Sequence, residues 1–171
     1  MRKIFAALMM CSVLWLTATA QAAKLTPLAE IDAYGFYQNM GYEVDCSHFE
    51  RIDRKMVFRT ILPEEPLALS KELPNVVVHV DPRSNHVVEV DLYLDADAEK
   101  NSQATFVAKV IAALDEAAFQ KNQPAIERGI GQFVDAPTYK DIVVTIDETR
   151  RYKLYKEIEA KVLAIYIEAA D

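Results

Sequence analysis

Val76-Val77-Val78-His79-Val80-Asp81-Pro82-Arg83-Ser84-Asn85-His86-Val87-Val88-Glu89-Val90-Asp91-Leu92-Tyr93-Leu94 is the stretch that decides the fold. β-Branched residues fill both flanks, and Asp81-Pro82 with Ser84-Asn85 supplies turn chemistry between them, so it reads as two antiparallel strands. Side chains alternate along a strand. Val88, Val90, Leu92 and Leu94 therefore share one face, with Glu89, Asp91 and Tyr93 on the other. Pairing Val78 with Val88 and Val80 with His86 keeps the apolar faces together. That register puts His79 on the solvated face and His86 at the edge of the core face.

Outward from this pair, residues 44–49 and 55–62 alternate weakly and read as strands joined through 50–54. Pro63, Pro66 and Pro74 bracket a connection. Further upstream, Thr26 as N-cap and Pro27 at the first helical position predict a helix that stops at Gly41. It is apolar nearly all round and rich in aromatics, with Tyr34, Phe36, Tyr37 and Tyr42 clustered on it and at its exit. Downstream, Ser102 predicts the N-cap of a helix reaching Gln120, with Phe106, Val107, Val110, Ile111, Leu114 and Ala118 as its stripe. Pro124 ends that run, and Gly129 and Gly131 predict irregular chain. Residues 142–146 alternate as a strand. Asp147 then predicts the cap of a last helix carrying Leu154, Tyr155, Ile158, Val162, Ile165 and Tyr166 on one side.

The expected architecture is α+β: an antiparallel sheet of about four to five strands with N-terminal, central and C-terminal helices packed on it. This element order is similar to the helix–three strands–helix–strands–helix layout of type III secretion chaperone-like domains, in order alone and with no shared motif.

The chain begins with Arg2 and Lys3, then an apolar run over 4–16, then small residues at Ala18-Thr19-Ala20 and Ala20-Gln21-Ala22. Charge, apolar run and small-residue site predict a cleavable signal peptide over 1–22, cut after Ala20 or Ala22, followed by a single α+β domain over 23–171. Cys11 lies inside the apolar run behind Leu8, Met9 and Met10, which does not suit lipidation. The expected location is periplasmic or secreted.

Acidic residues outnumber Lys and Arg by 26 to 19, for a net charge of −7, which disfavours nucleic acid and anionic membrane as partners. After cleavage Cys46 is the remaining cysteine, so no internal disulfide is expected, and the thiol reads as buried and inert. Cys46-Ser47-His48 would place two ligands on one strand face, but zinc needs further ligands from elsewhere, and no metal or cofactor is expected. Asp95, Asp97 and Glu99 match the first acids of a calcium loop, yet Lys100 stands where its glycine belongs and Phe106 where its bidentate glutamate belongs. Neither Gly-x-Ser-x-Gly nor Cys-x-x-Cys occurs. Glu64-Glu65, or Glu89 and Asp91, could do acid–base work if a cleft buried one of each pair; on a strand, Glu89 and Asp91 are expected to face water.

The expected function is that of an exported, acidic, non-enzymatic binding protein: an inhibitor, an immunity factor or a chaperone-like partner. Tyr34, Phe36, Tyr37 and Tyr42 are the binding candidates. The partner is another protein, a cationic one included, or a second copy in a homodimer, with no nucleic acid and no membrane insertion after cleavage. The alternative is a small secreted enzyme, or a thiol-reactive or metal-binding protein, using Cys46 with a histidine such as His48.

Overall fold

A computed structural model describes residues 25–60 and 74–170. The expected signal peptide and the Pro63–Pro66 connection with Glu64-Glu65 lie outside the described residues. Ten elements follow in order: α1 (Ala33–Met40), β1 (Glu50–Ile52), β2 (Lys55–Arg59), β3 (Asn75–Asp81), β4 (His86–Asp95), α2 (Lys100–Leu114), α3 (Glu116–Asp135), β5 (Ile142–Thr145), β6 (Arg151–Glu159) and β7 (Val162–Ala169). The strands form one sheet in the order β1-β2-β3-β4-β7-β6-β5, with every neighbouring pair antiparallel. The α2–α3 hairpin carries the chain across, so the second meander returns and lays β7 against β4. The class is α+β, with seven strands instead of the expected four to five.

The largest correction concerns the C-terminal helix, which is the hairpin β6–β7. Tyr152, Leu154 and Lys156 are buried and alternate with Arg151, Lys153, Tyr155 and Glu157, a period of two. The segment is apolar enough that a helical stripe can also be drawn through it, and the deciding turn is silent in sequence. Ala160 and Lys161 both take positive φ, 47° and 73°, the requirement at the two centres of a type I′ turn, without the usual Asn or Gly. With that helix gone, the likeness in element order to type III secretion chaperone-like domains goes too.

The β3–β4 register also differs. Val78 faces Val90, Val80 faces Val87 and Asp81 faces His86, with a bulge that leaves Val88 as the extra residue of β4. The bulge turns Val87 into the core in place of Val88. Its backbone is held from outside the sheet: Leu28 N–H donates to Val87 O at 2.8 Å and Val87 N–H to Ile31 O at 2.9 Å. Residues 28–31 therefore bend against the bulge, and the first helix starts at Ala33 and not at Thr26-Pro27. Asp32 caps it, its Oδ1 accepting from Gly35 N–H at 2.8 Å. Gly41 ends it in the left-handed conformation, φ 76°, as expected. Residues 44–49 are loop and turn, and the first strand begins only at Glu50.

The central helix divides in two. Asp115 is extended and caps α3 by accepting from Ala118 N–H at 2.9 Å. α2 starts at Lys100, after Glu99, so Ser102 lies inside it. α3 runs through Pro124 with a kink at Asn122, whose side chain donates to Ala118 O at 3.4 Å. Gly129 marks close packing rather than irregular chain: a Cβ there would stand 2.9 Å from Val144 Cγ1 on β5.

Among the described residues, all three helices pack on one face of the sheet. Phe36, Met40, Val107, Ile111, Ile126, Ile130 and Phe133 meet Val78, Val90, Leu92, Leu154, Ile165 and Ile167 in one core. Among the described residues no helix is long and apolar enough to cross a membrane.

Candidate functional site on the helix-free face

The residues that alternate with the core-facing ones point to the other side of the sheet, where none of the described helices lies. Reading across the registers, one row runs Val57, His79, Glu89, Glu168, Lys153, Val143. The next runs Arg59, Val77, Asp91, Tyr166, Tyr155. This face therefore carries carboxylates, cations and phenols on rigid strands, interspersed with Val57, Val77 and Val143.

At its centre His79 Nε2 lies 2.9 Å from Asp91 Oδ2. His79, expected on the solvated face, keeps a side chain only 13% exposed. Asp91, expected to face water, is 6% exposed, and its Oδ1 has no hydrogen-bond partner. Tyr93 OH donates toward Asp91 Oδ2 at 3.5 Å. Burial, with the Asp91 charge behind it, pushes the Tyr93 phenol up to about 12, so it stays a donor at neutral pH. Glu89, directly opposite His79, is ion-paired with Lys55. His79, Glu89 and Asp91 bring one ligand atom each within 4.8 Å of one another.

Beside this cluster the tyrosines line up. Tyr139, 64% exposed, meets the Tyr155 ring at 6.3 Å, and Tyr155 meets Tyr166 at 5.9 Å. Tyr166 OH donates to Glu157 Oε1 at 2.7 Å, and burial together with that bond raises its phenol well above the ordinary value. Lys153 and Glu168 pair at the edge of the row.

The residues singled out in the sequence lie elsewhere. Phe36 is fully buried and Tyr37 almost so; the Tyr37 hydroxyl is spent on Phe58 O at 3.0 Å and Val76 O at 2.9 Å. These two are core, because an eight-residue helix on a sheet buries one face and theirs is that face. Tyr34 is 56% exposed, and its hydroxyl accepts from Gln38 Nε2. With Tyr42, Glu43 and Asp45, it edges an open groove of about 480 Å³. Tyr42 is half-buried, its ring 5.7 Å from Lys109 Nζ.

Cys46 is half-buried against the core, and burial, then Asp32 and Asp45, push its thiol up. That is the opposite of what a nucleophilic thiolate needs. His48 is exposed and bound locally, its Nδ1 3.1 Å from Asp45 Oδ2 and from Ser47 Oγ. With 44–49 a loop, strand alternation no longer puts Cys46 and His48 on a shared face. Asp95, Asp97 and Glu99 do not form a ligand cluster. Only the alternation of Glu89, Asp91 and Tyr93 hinted at the site in sequence; the strands that oppose them, and the burial of Asp91, were not readable.

No family model, no curated protein and no solved structure matches this chain.

Proposed function

We propose that this is an exported, acidic, non-enzymatic binding protein that receives another protein on the helix-free face of its sheet. One observation carries the reading: the Tyr139–Tyr155–Tyr166 row stands half-buried to exposed beside Glu157, Glu168 and Lys153. Tyrosine offers large contact area at low entropic cost together with a polar handle, and a sheet with helices on one side leaves a rigid platform on the other. The ring faces and flanking carboxylates suit a partner carrying Lys or Arg, consistent with the net charge of −7. The groove edged by Tyr34 and Tyr42 is the second candidate. Catalysis through Cys46 and His48 gains no support, since burial and two carboxylates disfavour the thiolate.

The experiment is a crosslinked pull-down of the tagged protein from its own extracytoplasmic fraction, repeated with Tyr155→Ala/Tyr166→Ala and with Tyr34→Ala. A single stoichiometric partner lost in the double variant is the expected result. A partner lost only in Tyr34→Ala moves the interface to the groove. Recovery of a second copy of the chain, confirmed by light scattering at two concentrations, replaces the partner with a homodimer. If Cys46→Ser abolishes function while the fold survives, the binding reading fails.

A further inference from the structure

We propose that His79, Glu89 and Asp91 bind a single divalent first-row transition-metal ion. The three side chains come from two adjacent strands, not from a loop. His79 on β3 stands directly opposite Glu89 on β4, and Asp91 follows two residues along the same face. The ladder therefore holds all three pointing one way whether or not an ion is bound. Their ligand atoms lie within 4.8 Å of one another, and His79 Nε2 and Asp91 Oδ2 are already 2.9 Å apart. Ligands at about 2.0–2.2 Å from one ion sit roughly 3–3.5 Å from each other. A change of rotamer in Glu89, the longest of the three arms and only partly buried, closes the remainder.

A second, independent observation points to a ligand. Asp91 is nine-tenths buried, yet Oδ1 has no donor while Oδ2 takes both His79 and Tyr93. A buried carboxylate oxygen with no partner loses its hydration without compensation and calls for an explanation such as an ion. A cation that Asp91 holds through both carboxylate oxygens satisfies Oδ1, with the Tyr93 hydroxyl as the outer donor that orients the carboxylate.

Two carboxylates and a neutral imidazole sum to two negative charges, which a divalent ion neutralises. Lys55, paired with Glu89, supplies the nearest positive charge and is the group an ion must displace. When Nε2 binds the ion, the neutral ring carries its proton on Nδ1. One imidazole nitrogen with two carboxylate oxygens suits zinc, manganese or iron(II) better than calcium or magnesium, which prefer oxygen alone. Three protein ligands leave at least one position for water or for an acidic group of another molecule. This holds independently of the tyrosine-row reading.

The test uses the chelator-treated protein titrated with zinc chloride by calorimetry, and cobalt(II) spectra to report nitrogen ligation. The expected result is one saturable site, weakened about tenfold or more in His79→Ala and Asp91→Asn, and strengthened in Lys55→Met. Zinc should raise the melting temperature of the wild type and not of those two variants. Glu89→Gln, at a partly exposed position, gives the same answer if a variant at Asp91 does not fold. Failure of the folded wild type to bind zinc saturably overturns the proposal. So does a site unchanged in His79→Ala and Glu89→Gln, which would move the ion to the Cys46–His48 loop.

Discussion

Asp147 shows how far a single residue can change its job. It does not cap a helix; it ties the turn between β5 and β6. Its Oδ1 accepts from Thr149 N–H, Thr149 OH and Arg150 N–H, and its Oδ2 from Arg150 Nε at 2.7 Å. Arg150 reaches on to Asp115 Oδ2 at 2.9 Å, so the turn is clamped to the start of α3. Burial alone would raise the Asp147 carboxyl, but these donors outweigh it and hold the group well below the usual range. A depressed folded value stabilises the fold at pH above the ordinary carboxylate range, and that stability is lost as pH falls through the folded value. Asp147→Asn should therefore lower urea stability near neutral pH, and the gap to wild type should shrink as the pH is taken below about 4. An equal gap from neutral to strongly acid pH would show that the carboxylate charge does not matter.

At the scale of elements, two glycines in α3 should respond in opposite directions to the same change. A Cβ at Gly129 would meet Val144 Cγ1 at 2.9 Å and Cγ2 at 3.1 Å, while at Gly131 it meets nothing within 4 Å. Gly129→Ala must push α3 from β5 and should cost about 1–3 kcal/mol. Gly131→Ala relieves helix entropy and should add about 0.5–1 kcal/mol. Chemical denaturation of the two variants checks both signs, and the same sign in both would mean α3 does not pack as described. In sequence this pair reads as a helix breaker, because glycine spacing carries no record of what lies opposite. Pro124 misleads in the same way: the helix continues past it, with a kink at Asn122 two residues before.

The whole molecule holds several phenols in their neutral form. Tyr37 and Tyr152 are raised mainly by burial, as are Tyr93, to about 12, and Tyr166. The unfolded chain ionises these groups near the ordinary pH of about 10, while the folded one keeps them protonated. Raised folded values mean that stability is fully present below that pH and is lost as it rises. Ultraviolet titration should show part of the tyrosine complement resisting ionisation through pH ~10, followed by cooperative unfolding in which the rest appear together. Smooth, complete ionisation of a chain that stays folded would contradict the burial of these rings.

Sequence alone determined what rests on local chemistry. The β3–β4 pair follows from β-branched flanks around turn residues, the end of α1 from the left-handed Gly41, and the α+β class from the mixture of periods. Tertiary structure decided what depends on partners distant in the chain. The β6–β7 hairpin prevailed over a helix because β7 finds the open edge of β4 and buries Leu163, Ile165 and Ile167 there. The register shifted because residues 28–31 grip the bulge at Val87. Asp91 became a buried carboxylate beside His79, and a strand's alternation states which face a residue takes but not what will cover it.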